Sequence, residues 1–226
     1  MREFLTGPML WISLAVFVLG MLGRVAWYLK GLNQQLDRVA YRAHPRAGLR
    51  GAARSIFFWL VPFGSHGWRV QPFMAVVSFT FHAAAVLVPL FLLAHRLILM
   101  DLLGFWLPAM PRAVADGLTW TVLGLLAVLA LRRAALPEVR ILTTAHDWFI
   151  LALSALPFAT GLLARHQAGG EYAFWLYAHI ACGEAFLILA PFTRLSHMVL
   201  FFMSRGQLGS DFGIKRGGMN GREMAW

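Results

Sequence analysis

Five apolar runs, each long enough to cross a bilayer, leave this chain little choice of fold. They cover about residues 8–29, 70–100, 113–131, 141–164 and 172–203. Roughly 20 consecutive apolar residues span a hydrocarbon core about 30 Å thick. Of the 226 residues, 59% are hydrophobic and 13% are charged, and the mean hydropathy is +0.65. A soluble domain of this size could not keep so much apolar surface from water. The expected fold is an all-α integral membrane protein, a bundle of five transmembrane helices. A glycine-rich polar tail, 204–226, follows and is too polar to fold alone. The first run lacks a small-residue cleavage pattern, so it reads as a retained helix and not as a signal peptide.

The net charge is +10, but the basic residues gather between the apolar runs. That distribution argues against nucleic acid and for membrane topology. The connector 30–54 carries Lys30, Arg38, Arg42, Arg46, Arg50 and Arg54, several of them four residues apart, a basic stripe if helical. The aromatic SIFFWLVPFGSHGW after it, broken by Pro62 and Gly64, suits the headgroup level. One side of the membrane receives this connector, Arg24, Arg69, Arg132, Arg133, Arg140, Arg205, Lys215, Arg216 and Arg222. The other receives only Arg2, Arg96, Arg112 and Arg165. The positive-inside rule therefore places the N-terminus outside and the tail in the cytoplasm.

Histidines carry the chemical signal. His179 and His197 in the last run are 18 residues apart, about five turns of a continuous helix and roughly 27 Å along it. Both would leave one face, near opposite edges of the membrane. With the expected topology, His82 and His197 lie toward the cytoplasm, and His95 and His179 toward the outside. Two facing helices thus offer two bis-histidine pairs, an arrangement that holds low-spin haem in bundle cores. The plain alternative is that intramembrane histidines hydrogen-bond neighbouring helices. Polar groups at two matched depths favour function, because such groups are costly in a span. The 13 residues between His82 and His95 amount to about 220° on a straight helix, so Pro89 must alter the phase. His146 is the substitute for His82, and His166 for His95. The single cysteine, Cys182, excludes an intramolecular disulfide, a CxxC metal site and a CxxCH haem attachment.

Other polar residues have two readings each. Arg194 either meets haem propionates or snorkels to the interface. Gly183 either admits a flat macrocycle beside His179 or serves helix packing. Glu184 either handles protons or quinol, or pairs with Arg165 or His166. Asp147 either orients His146 or caps a helix.

The stretch HIACGEAFLILAPFTRLSHM resembles the last helix of the γ (cytochrome b) subunit of respiratory nitrate reductase. The second run FHAAAVLVPLFLLAH and the ending PFTRLSH fit the same family. The long basic connector and the wide histidine spacing make the chain look closer to the cytochrome b subunits of sulfate-reducer transmembrane complexes. Those partner a heterodisulfide-reductase-like iron–sulfur protein and a periplasmic multihaem cytochrome c. The resemblance implies two haem b groups, the distal on His95 and His179 and the proximal on His82 and His197. It also implies a quinol site by the distal haem, with Arg96, Asp101, Arg112, Arg165, His166 and Glu184 as the nearby polar residues. The lysine that nitrate reductase has after its second helix has no counterpart here.

The function expected from this resemblance is electron transfer in a bacterial cytoplasmic (inner) membrane. Electrons pass between a menaquinone-type pool, or a periplasmic cytochrome c, and a cytoplasmic iron–sulfur partner, heterodisulfide-reductase-like or nitrate-reductase-β-like. The sequence sets no direction. A haem-free membrane anchor or transporter subunit is the alternative.

Overall fold

The computed structural model of the protein describes residues 2–32, 44–104, 106–167 and 171–215. Among the described residues there is no strand. Five helical stretches are long and apolar enough to cross a membrane: Leu5–Leu32, Pro72–Phe91, Arg112–Ala135, Ala145–His166 and Tyr172–Phe192. The chain is a multi-pass membrane protein. Leu19, Trp27, Trp120 and Leu131 point outward, each at least 60% exposed, as suits side chains solvated by lipid. Eight helices position the groups discussed below: α1 (Leu10–Leu32), α2 (Pro45–Leu60), α3 (Pro72–Phe91), α4 (Leu93–Leu103), α5 (Arg112–Ala135), α6 (Ala145–His166), α7 (Tyr172–Leu189) and α8 (His197–Lys215). Arg38, Arg42, Arg216 and Arg222 lie outside the described residues, as do the side chains of Arg2 and Lys215.

Contacts divide the chain into two compact units. The first takes in Met1–Leu14 and Val77–Ile188, the second Ala15–Val76 and Leu189–Trp226. In the first unit, Ala84 of α3 and Val122 and Leu126 of α5 are buried together, and Leu151, Ala155 and Phe158 of α6 pack against them. Helix α6 starts at Ala145, later than the expected 141, because Thr144 caps it. The Asp147 carboxylate accepts the Thr144 N–H and Oγ1–H, each at 2.8 Å. Arg133, in the last turn of α5, pairs with the same carboxylate at 3.7 Å. Asp147 is therefore a helix cap, bonded to Thr144 and Arg133. Helix α5 extends beyond the expected 113–131 at both ends.

The expected second span, 70–100, is not one helix. It breaks at Leu92, whose ψ of 131° is extended. Pro89 has no N–H for the helical ladder, and the Phe91 carbonyl accepts the Met110 N–H at 2.9 Å instead of continuing the helix. His82 on α3 and His95 on α4 thus belong to different helical segments, and the 220° conflict of a straight helix does not arise. Helix α4 ends at Gly104, whose φ of 71° is left-handed.

The expected fifth span, 172–203, is likewise interrupted. After α7 come tight turns at Ala190–Phe192 and Arg194–Ser196, separated by Thr193 in extended backbone. Pro191 removes one donor. Thr193 Oγ1 accepts the Leu195 N–H at 3.3 Å, and the Ser196 hydroxyl donates to the Thr193 carbonyl at 2.9 Å. These local bonds replace the ladder. His179 and His197 do not share one face of a continuous helix.

In the second unit, residues 204–215 continue α8 rather than forming a separate tail. Helix α8 packs along α2, which forms from the connector and the start of the aromatic stretch. Gly48 and Gly51 of α2 meet Gly209, Ser210 and Gly213 of α8 closely enough that a Cβ on Gly51 would lie 3.0 Å from the Gly213 Cα. Only glycine allows backbones to approach so closely. Residues 204–215, polar and glycine-rich, form helix here against Pro45–Leu60. On α1, Arg24 Nε donates to the Pro191 carbonyl at 2.6 Å, and Gly20 leaves room for the Pro191 ring. The Tyr28 hydroxyl donates to Gln207 Oε1 of α8.

Candidate functional site

His95 of α4 and His179 of α7 meet inside the first unit. Their Nε2 atoms are 3.4 Å apart. The ring planes differ by 13° and the centroids are 5.7 Å apart. The centroid distance exceeds the nitrogen distance by about two ring radii, so the imidazoles meet tip to tip. A metal–imidazole bond is about 2 Å long, so a shared ion needs the nitrogens about 4 Å apart. The pair reaches that span by opening roughly 0.6 Å, well within rotamer adjustment.

The surroundings fix the tautomer of His179. Its Nδ1–H donates to the Pro157 carbonyl of α6 at 2.8 Å. A carbonyl can only accept, so Nδ1 carries the proton and Nε2 the lone pair. Gly161, one turn beyond Pro157, makes way for the ring. A Cβ there would lie 3.0 Å from both Cε1 and Nδ1 of His179. His95 Nδ1 lies near the Pro89 carbonyl without reaching hydrogen-bond geometry. A Cβ on Gly183 would meet nothing within 4 Å.

His82 and His197 repeat the pattern. His82 Nδ1 donates to the Ser78 carbonyl at 2.7 Å, and His197 Nδ1 to the Arg194 carbonyl at 2.9 Å. Three of the four histidines thus have the tautomer that presents Nε2 as the basic atom, the outer-shell arrangement common to metal-ligating histidines. His82 belongs to the first unit and His197 to the second. His197 lines a cleft of about 360 Å³ within its own unit, together with Tyr28, Trp59, Phe201, Ser204 and Arg205. The Arg205 guanidinium stacks on Trp59, 4.3 Å from the ring centroid. Burial pushes Arg205 below its ordinary value.

The His95–His179 pair fits a haem iron. Among the described residues, no group of three or more His, Cys, Asp or Glu side chains could hold a metal ion. A metal held by the His95–His179 pair would need its remaining ligands from elsewhere, as a haem macrocycle would supply.

The other expected residues fall in several places. His146 is half-buried and packs against Phe149, with centroids 6.2 Å apart. His166 is exposed at the end of α6, and Arg194 is exposed before α8. Arg96 lies over Trp106 at 5.4 Å, and its Nε is buried without a hydrogen bond. Asp101 and Arg112 are exposed. Arg165 pairs with Asp116 at 3.5 Å. Glu184 is 3% exposed, and its Oε1 has no hydrogen-bond partner. Sequence reasoning missed Pro157, Gly161 and Arg205. The first two are four residues apart, one turn of α6, a spacing that would have marked a carbonyl and a gap on one face.

The chain is similar to a protein of Nitratidesulfovibrio vulgaris (strain Hildenborough), with 62% identity over 218 residues covering 96% of each chain. The chain belongs to the same family as that protein. The relative is named only "Protein", so the family carries no activity with it. No family model matches the chain, and no solved structure does.

Proposed function

We propose that the protein is a membrane cytochrome b subunit of a respiratory complex. The observation that carries the reading is the His95–His179 pair, tip to tip across 3.4 Å in an apolar bundle. The reading assigns one haem b to His95 and His179 on the outer side, and a second to His82 and His197 on the cytoplasmic side. Bound haem supplies reversible one-electron chemistry, and the protein sets its potential through ligands, burial and hydrogen bonds.

The chain's own residues have distinct tasks. The Pro157 carbonyl holds the proton on His179 Nδ1 and keeps Nε2 basic. Ser78 and Arg194 do the same through their carbonyls for His82 and His197. Gly161 and Gly183 leave room. Arg194 is the proposed propionate partner carried over from the resemblance. Glu184 Oε1, buried without a partner, is suited to accept a proton from a menaquinol-type donor. Arg96, Asp101, Arg112, Arg165 and His166 are the other polar residues of the proposed quinone region. Its Asp116 partner makes Arg165 a poorer counter-ion for Glu184.

In this reading electrons pass between the quinone pool, or an outer-side multihaem cytochrome c, and a cytoplasmic iron–sulfur protein. The subunit sits in a bacterial cytoplasmic membrane with its N-terminus outside. The basic residues between the apolar runs support that orientation.

A second reading is a haem-free membrane anchor or transporter subunit. The same 3.4 Å separation favours it to the extent that one imidazole can donate weakly to the other. A reduced-minus-oxidised spectrum of the purified protein, with haem quantification, decides. A b-type α-band with two haems per chain is expected, and its absence means the anchor reading is correct.

A further inference from the structure

The cleft beside His197 holds a cation that the proposed function leaves unexplained. Helix α8 presents His197, Phe201, Ser204 and Arg205 along one stripe, at positions i, i+4, i+7 and i+8. Tyr28 of α1 and Trp59 of α2 close the same space, about 360 Å³, within one unit. Its walls are aromatic at Tyr28, Trp59 and Phe201, Arg205 brings a positive charge to it, and the Asp211 carboxylate lies close enough to act on Tyr28. The guanidinium is only half-buried by residue, and Trp59 stacks on it at 4.3 Å. Tryptophan fixes an arginine's plane and leaves its edge N–H groups for an acceptor. Arg205 takes no part in the ion pairs Arg133–Asp147 and Arg165–Asp116. A partly desolvated arginine held rigid over an aromatic ring fits an anionic oxygen group that enters from outside the chain.

We propose that Arg205, fixed by Trp59, binds a carboxylate of the haem on His197 and raises that haem's reduction potential. The proposal rests on the haem reading above. It adds to Arg194 a second cation, eight residues past the ligand, that the sequence did not suggest. A fixed positive charge beside a haem carboxylate favours the reduced, less positive iron. The aromatic walls would meet a flat ring and the guanidinium an acidic edge, so the cleft suits a flat amphiphile with a carboxylate. A lipid phosphate offers the same oxygen chemistry, and the experiment separates the two sources.

The test is a potentiometric titration of the purified full-length protein in neutral detergent free of anionic lipid. Arg205→Gln should lower the midpoint of the haem that His197→Ala removes, and leave the other unchanged. At a fixed potential the ferric-to-ferrous ratio of that haem should rise about tenfold, which for a one-electron couple is about 59 mV. Arg205→Lys keeps the charge and should keep the midpoint. A stack that merely joins α2 to α8 would leave both midpoints in place. Two haems with unchanged midpoints in Arg205→Gln overturn the proposal and leave the haem reading standing. So does a shift that is the same in the Gln and Lys variants, or one that requires added anionic lipid. If Arg205→Gln loses the haem, a Lys variant that retains it at the native midpoint supports the proposal, and a Lys variant that also loses it overturns it. A native protein without a b-type spectrum overturns both readings together.

Discussion

Gly161 of α6 holds open the space that the His179 ring occupies: a Cβ at that position would lie 3.0 Å from both Cε1 and Nδ1. Such contacts are tighter than almost all ordinary Cβ contacts, so Gly161→Ala makes the ring give by a few tenths of an ångström and strains its bond to the Pro157 carbonyl. The expected outcome is loss or weakening of the outer haem with the other retained, read as a fall in haem per protein. A normal haem content and spectrum in Gly161→Ala would contradict the assignment of His179.

The facing Nε2 atoms make a paired prediction. His95→Ala and His179→Ala should each remove the same haem, and the double variant should look like either single one. His146→Ala should keep both haems, since that ring packs against Phe149 at the edge of α6. The check is the pyridine haemochrome content of each variant. Retention of both haems in His95→Ala would transfer the ligand role elsewhere.

Arg24 ties α1 to the interruption after α7. Its Nε donates to the Pro191 carbonyl at 2.6 Å, and hydrogen bonds to charged groups contribute about 1.5–3 kcal/mol. Arg24→Leu should lose stability of that order in detergent. It should also disturb the turn that leads into His197, seen as a broadened spectrum of the cytoplasmic-side haem. Arg24→Lys should recover the stability only in part, because an ammonium lacks the planar guanidinium's geometry.

The α2–α8 contact predicts an intolerance to any side chain. Gly51→Ala drives a Cβ into the Gly209 backbone and to 3.0 Å from the Gly213 Cα. Overpacking of this kind costs about 1–3 kcal/mol, which lowers a thermal midpoint by on the order of 2–4 °C per kcal/mol. Thermal unfolding followed by circular dichroism measures it. The same substitution at Gly117, which has nothing within 4 Å, serves as the control.

Much of this architecture was legible from hydropathy, because lipid demands long apolar helices and tolerates little else. All five membrane-crossing helices fall where the apolar runs lie. The His95–His179 meeting was legible from depth alone. Helix phase was not, because regular periodicity assumes an unbroken ladder. Pro89 and Pro191 signalled trouble, but the breaks fall at Leu92 and Thr193, where the Met110 N–H and the Thr193 hydroxyl redirect the bonding. Those partners are chosen by tertiary structure and local side chains, which no period in the sequence encodes. Gly161 and Pro157 were passed over for a related reason: their effect is on a neighbour's ring and lies in an absent side chain and a backbone oxygen. The helix over 204–215 was not legible, because glycine weakens a helix in isolation and permits close contact only when a second glycine-bearing helix is present.

Each histidine-bearing segment is interrupted between its two histidines, at Leu92 and at Thr193. A continuous helix would lock the two imidazoles to a common angular register, and adding or deleting one residue would swing one of them by about 100°. A non-helical joint absorbs such a change. The distance along the chain between the histidines is therefore free to drift among relatives while each ring keeps its own neighbours, so kinship in this family is better sought in what surrounds each histidine than in the count of residues between them.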